Sequence, residues 1–293
     1  MAKKRKISIR KVCRLLLVLF CIVALVAVGV HSCNGASGEP ASSSNPTSAE
    51  SPASSVVSKV DPMAKYAAYD DTAYAIDVSE YLQYIEPKSD EYLFLVNPEH
   101  PLAADDVPSD LVDCIHTRKD GRKTQQLRLY AAKALEAFLA EGQALGKVDN
   151  VSVTSAYRSY SYQDYLFNHY CEQHQSKFAT REECEKYVLT FSTRPGTSEH
   201  QSGLSLDMHN LGSANSAFAK EPEAKWLAEN CYRFGFILRY PDGKTDITGI
   251  KYEPWHFRYV GRYHATRMQE LGLCLDEYIE QYASDSALSS AAH

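Results

Sequence analysis

The sequence predicts an α+β domain in which a small antiparallel sheet is flanked by helices, preceded by an N-terminal membrane segment and a flexible linker. Three observations predict it. Short strand-like and longer helix-like apolar periodicities are mixed between residues 92 and 283. An apolar run, Leu15 to Val30, follows a basic segment. Residues 32–62 are rich in Ser, Ala, Pro and Gly and hold almost no large apolar side chain before Val56, so they can form no core.

The first 31 residues carry seven basic side chains (Lys3, Lys4, Arg5, Lys6, Arg10, Lys11 and Arg14) and no acidic one. The 16-residue run behind them is long enough to span a bilayer if Arg14 reaches the headgroups. The basic flank places the N-terminus in the cytoplasm and the rest of the chain outside. A cleaved signal peptide and lipidation at Cys33 are the alternatives, giving a secreted or lipid-anchored protein. The whole chain has a net charge of −6 despite that basic segment, so the remainder is distinctly acidic and nucleic acid is not an expected partner.

After the linker comes a lead-in at 63–91, with tyrosines and a weak amphipathic pattern. The main domain is placed at 92–283 and a frayed tail at 284–293. With 293 residues and 44% hydrophobic composition, one catalytic core is the expectation. Within it, Tyr92 to Val96 reads as a strand. From Leu127 to Leu145 the apolar residues recur at helical spacing. Val151 to Tyr157 alternates, predicting a strand that delivers Arg158 at its end. Helices follow around Tyr160 to His174, Glu182 to Leu189, Pro222 to Phe234 and Arg262 to Leu271, with further strands at Phe236 to Arg239 and His256 to Val260. No internal repeat is present.

The densest chemistry lies in Pro195-Gly196-Thr197-Ser198-Glu199-His200-Gln201-Ser202-Gly203-Leu204-Ser205-Leu206-Asp207, where a Gly-containing turn leads into an alternating segment. It supplies His200 and Asp207, and His256 is a third candidate ligand. Two imidazoles and one carboxylate suit Zn2+ and leave a fourth tetrahedral position for water, as in catalytic rather than structural sites. The small sheet is therefore expected to carry a zinc site. Glu253, three residues before His256, is the candidate base, and Pro254 argues for a loop entering a strand rather than a helix. Trp255 would help wall the site from solvent. Either pair alone, His-x6-Asp or Glu-x-x-His, is common by chance.

Four ordered blocks narrow the reading: Ser155-Ala156-Tyr157-Arg158-Ser159, Pro195 to Asp207, Gly235-Phe236-Ile237-Leu238-Arg239-Tyr240-Pro241, and Glu253 to Gly261 with its Trp-His-Phe-Arg-Tyr-Val core. Over roughly Tyr92 to Tyr282 the chain resembles D-alanyl-D-alanine carboxypeptidases of the VanY type, within the lysostaphin-like and hedgehog-like zinc folds. The resemblance implies that His200, Asp207 and His256 bind zinc, that Glu253 is the general base, and that Arg158 polarises the scissile carbonyl. It also points to Gln163, Ser198 and Tyr240 as substrate-binding residues around the terminal D-residue. The implied partner is a peptidoglycan stem peptide ending in D-Ala. Cleavage of a pentapeptide or of a tetrapeptide remains open, as do vancomycin resistance, ordinary wall remodelling and oligomeric state.

Other residues are read as structural. His209 flanks the site, and His169, His174 and His264 are expected in solvated or outer positions. Of eight cysteines, Cys171 and Cys184 are the nearest pair and a candidate local disulfide, while a zinc site from Cys171, His174 and Cys184 lacks a fourth ligand. A serine-type wall peptidase is excluded: the only Ser-x-x-Lys is Ser8 to Lys11, in the basic segment, and Lys244-Thr245 is followed by Asp246. A zinc endopeptidase cutting cross-links and a non-catalytic peptidoglycan-binding module are the competing functions.

Overall fold

The computed structural model describes residues 73–282, all within one compact unit. The apolar run at 15–30, the linker, the start of the lead-in, Cys13, Cys21, Cys33 and the tail lie outside the described residues. Among the described residues no helix is long and apolar enough to cross a membrane.

The architecture is α+β, as the periodicities predict. The element order is α1 (Leu82–Ile85), β1 (Leu111–Asp113), β2 (Gln126–Arg128), α2 (Leu129–Ala144), β3 (Ser152–Ser155), α3 (Tyr160–His174), α4 (Arg181–Val188), β4 (Ser205–His209), α5 (Pro222–Asn230), β5 (Phe236–Leu238), α6 (Thr245–Thr248), β6 (His256–Tyr259) and α7 (Arg262–Leu271). Residues 275–282 are helical as well. The four-stranded sheet has the order β3-β4-β6-β5, with every neighbouring pair antiparallel.

Local chemistry sets the boundaries. Ser159 caps α3 by accepting from the Tyr162 N–H, and Thr180 and Glu183 form a reciprocal capping box at α4. Pro222 opens α5 at its first turn, where its missing N–H costs nothing. Alternation along β4 and β6 sends Leu206, Met208, Phe257 and Tyr259 into the main core, against Ala131, Leu135 and Phe138 of α2. Phe138 stacks on Trp226, Phe234 and Phe236 at centroid distances of 5.4, 5.1 and 6.2 Å. A smaller cluster of Phe167, Cys171, Cys184 and Val188 holds α3 against α4.

Four expectations need correction. Tyr92 to Val96 forms no strand; instead of a ladder, the Tyr92 and Phe94 carbonyls accept from the Arg258 guanidinium at 3.3 and 3.1 Å. The helix expected from Leu127 begins at Leu129, because residues 126–128 pair with β1 in a two-stranded sheet. No disulfide joins Cys171 and Cys184: both are buried free thiols, and Cys184 Sγ donates to the Cys171 carbonyl at 3.2 Å. His264 is neither solvated nor near the site, since its ring is buried between the Tyr278 hydroxyl at 3.0 Å and the Asp90 carboxylate at 2.8 Å.

Candidate active site

The second face of the sheet is polar and nonetheless buried. Asp207 on β4 lies directly opposite His256 on β6 in the register, and Ser155 on β3 lies opposite Asp207 from the other side. The β3–β4 register shifts between Val153 and Ser155, a bulge of the kind that re-aims a strand end beside a site. Arg158 leaves that end. A 3-10 turn, Glu199–Ser202, carries His200 and stops at Gly203, whose φ of 68° is left-handed. A Cβ there would sit 2.9 Å from Leu111 and 3.1 Å from Arg128, so the turn requires glycine on both counts.

Three donor atoms converge. His200 Nε2 and His256 Nδ1 stand 3.6 and 3.0 Å from Asp207 Oδ1, and the candidate ligand atoms of all three residues lie within 4.8 Å of one another. His200 Nδ1 is 2.7 Å from the Ala156 carbonyl, so its proton resides on Nδ1 and its Nε2 lone pair faces the centre. Burial and the nearby Arg158 cation lower the His200 pKa to about 4, keeping it neutral at pH 7. Burial works against a charge on His256, but the Asp207 and Glu199 carboxylates overcome it and raise its pKa to about 9. Asp207 is held well below the ordinary carboxylate range by both histidines despite its burial. Two neutralisable imidazoles and an ionised carboxylate, pointed at one spot, fit a zinc ion with an open fourth position.

Glu253 lies outside this donor set, with Oε2 3.8 Å from His256 Nδ1. Burial raises its pKa to about 7. Arg158 donates to Asp207 Oδ2 at 3.1 Å, to Gln163 Oε1 at 3.2 Å and to Ser155 Oγ at 2.9 Å. Gln163 is in turn fixed by donating to the Thr193 carbonyl at 2.8 Å. Ser198 and Tyr240 line the same cleft of about 440 Å³, and the Tyr240 ring packs 4.9 Å from that of His256. Trp255 forms part of the wall, as expected from its position.

The structure thus brings together all eight residues singled out from the sequence. His209 lies on β4 beyond them, its Nδ1 3.2 Å from the Arg118 guanidinium. Sequence reasoning missed the wall formed by Tyr170, Phe191, Ile250 and Tyr252, and it missed Glu199, whose carboxylate is tied to Arg239 and Arg258 at 2.6 and 3.4 Å. A signal for the latter existed. Arg239 and Arg258 are charged residues within apolar strand patterns, and buried cations require a buried anion.

The fold and the site define a class: an α+β protein whose small sheet carries a buried two-histidine, one-carboxylate set that could hold a metal ion. Comparison with known proteins narrows it. Residues 124–262 match the family model VanY, D-alanyl-D-alanine carboxypeptidase. A D-alanyl-D-alanine carboxypeptidase of Enterococcus faecium is 34% identical over 67% of this chain, and the match spans 60% of that relative's own length. The solved LdcB LD-carboxypeptidase is 35% identical, with a TM-score of 0.56 over 64% of this chain and 84% of that one. A vancomycin-resistance D,D-pentapeptidase VanY from a VanB-type cassette, solved as a mutant in complex with Zn(II), is also 35% identical, with a TM-score of 0.54 over 64% of this chain and 98% of that one. The chain belongs to the VanY family of D-alanyl-D-alanine carboxypeptidases.

Proposed function

We propose that this protein is a zinc-dependent carboxypeptidase that releases the C-terminal D-alanine from peptidoglycan stem peptides. The convergence of His200 Nε2, Asp207 Oδ1 and His256 Nδ1 on one point, with a buried free carboxylate beside it, carries the reading. His200, Asp207 and His256 would hold the zinc ion, which would supply Lewis acidity toward the scissile carbonyl and make a bound water more acidic. Glu253 Oε2 takes the proton of the attacking water and returns it to the leaving amine. Burial raises its pKa above that of an exposed carboxylate, which makes it a stronger base for that transfer.

Arg158 reaches into the cleft with one edge held by Asp207 and another by Gln163, so its guanidinium is oriented before substrate arrives. It stabilises negative charge developing on the carbonyl oxygen. Ser198, Gln163 and Tyr240 bind the terminal D-residue and its carboxylate. Mass spectrometry of defined penta- and tetrapeptide stems after incubation with the purified protein tests the activity: loss of one D-alanine is expected, and both stems remaining intact would refute it. Amidating the terminal carboxylate should sharply reduce turnover, because donors arranged for an anion lose their partner. Equal rates on free acid and amide would instead favour an endopeptidase.

We further propose that Leu15 to Val30 anchors the chain in the cell membrane, with the catalytic domain on the extracytoplasmic side. The basic flank before the run and its length support this placement. Membrane fractions should retain the uncut chain, and N-terminal sequencing that begins just after residue 31 would replace the anchor with a cleaved signal.

A further inference from the structure

Beside His256, at the buried inner wall of the cleft, lies a carboxylate that takes no part in the chemistry proposed above. Glu199 is buried, and both of its oxygens are engaged differently. Oε1 receives Arg239 Nε at 2.6 Å and faces Arg258 Nη1 at 3.4 Å. Oε2 accepts from Ser205 Oγ at 3.0 Å and has its remaining side turned to His256 Nε2, 3.8 Å away. That His256 nitrogen is buried and has no hydrogen-bond partner, an uncommon state for such an atom. Arg239 is itself anchored by Asp276, at 2.6 Å to Oδ2, so the carboxylate cannot drift. The pair is therefore an aimed acceptor and an orphaned donor separated by less than an ångström beyond hydrogen-bond length.

We propose that Glu199 is a positioning residue for the metal centre: its Oε2 accepts the Nε2–H of His256 and so presents the Nδ1 lone pair to the zinc. The chemistry is that of an imidazole with one proton. A neutral histidine that binds metal through Nδ1 must carry its proton on Nε2, and a buried N–H there needs an acceptor. His200 solves the same problem the other way round, with its proton on Nδ1 toward the Ala156 carbonyl and Nε2 toward the centre. The two histidines thus bind in opposite tautomers, one fixed by a backbone carbonyl and one by a buried anion. Glu199 and His200 are adjacent on one 3-10 turn, so a single short segment sets both rings.

This inference rests on the zinc reading, and the experiment separates the two. Zinc affinity is measured by competition with a chromophoric chelator for the full-length wild type and for Glu199→Gln, which keeps the side chain's size but removes the anion. The dissociation constant is expected to rise about 10- to 100-fold, the usual effect of losing such a partner. In parallel, 15N NMR of the zinc-loaded wild type should show His256 protonated at Nε2 and His200 protonated at Nδ1. A folded Glu199→Gln chain with unchanged zinc affinity, or a wild-type His256 that binds through Nε2, overturns the assignment. If Glu199→Gln does not fold, the wild-type spectrum alone decides. A wild type that binds no zinc would overturn the metal reading itself.

Discussion

Replacing Glu253 by alanine separates the metal from the chemistry. Glu253 Oε2 is 3.8 Å from His256 Nδ1, against 3.0 Å for Asp207 Oδ1, so removing it leaves the three-atom donor set intact. Of the three carboxylates lining the cleft, Asp207 is engaged by Arg158 and both histidines, and Glu199 is locked to Arg239. Neither can take over as base. The loss in turnover should therefore cover the full range of general acid-base catalysis, about 10²- to 10⁴-fold, or roughly 3 to 5 kcal/mol on the barrier. Zinc content should stay near stoichiometric. His256→Ala should lose zinc as well as activity, because it removes one of three ligands and leaves a poor site. Metal analysis and turnover of one stem peptide, measured on both variants, check this. Should Glu253→Ala lose zinc as readily as His256→Ala, Glu253 would be a ligand and the role of Asp207 would change. Full activity without Glu253 would refute the mechanism.

Gln163→Ala removes the side chain that holds the outer edge of Arg158 and leaves the Thr193 carbonyl without its donor. Turnover should fall about 10- to 100-fold through misplacement of Arg158, with zinc content unchanged; a loss of zinc would show that Gln163 supports the metal set instead. Because burial raises the Glu253 pKa to about 7 and a bound cation can only lower it, the acid limb of kcat/KM should fall at or below pH 7. The sign follows from the base having to be deprotonated: the rate rises as pH climbs through that pKa, and a limb well above 7 would point to another group. Phe138→Ala opens a hole between Trp226, Phe234 and Phe236 in the main core, and should destabilise the protein by about 3 to 5 kcal/mol in denaturant unfolding.

What the sequence revealed, and what it hid, follows from how each feature is encoded. Helices of ten residues or more carry several turns of periodicity, and Tyr160–His174 and Arg262–Leu271 have the bounds their apolar spacing predicts. The hairpin of β1 and β2 has three residues in each strand, too few for alternation to show, so residues 126–128 read as the start of the following helix. Tyr92 to Val96 misled in the opposite way. Its apolar run satisfies the pattern of a strand, but its backbone is paid off by one arginine 164 or more positions later in the chain, a contact no local window contains. Site residues were legible because catalysis places polar side chains where packing alone would put apolar ones. His256 and Arg258 alternate with Phe257 and Tyr259 in a segment flanked by Trp255 and Val260, and those two polar positions in an apolar run are visible without a structure.

The same pattern explains why Glu199 escaped notice. A buried charge is costly unless it is paired, and the cost falls on the pair rather than on either member. Arg239 and Arg258 are two such charges on neighbouring strands, β5 running into the first and β6 containing the second. They cannot neutralise each other, so the fold must bring an anion between them. The anion it brings, Glu199, comes from the turn that also carries the candidate metal ligand His200, and its ionisation is secured by the two arginines against burial. If the cluster served stability alone, apolar replacements of similar volume would fill the space at least as well. A fixed negative charge beside His256 does what no apolar group can: it gives the ring's far nitrogen an acceptor, and with it a defined orientation toward the metal. The arginines thereby act on the site at one remove, by holding the residue that holds the ligand.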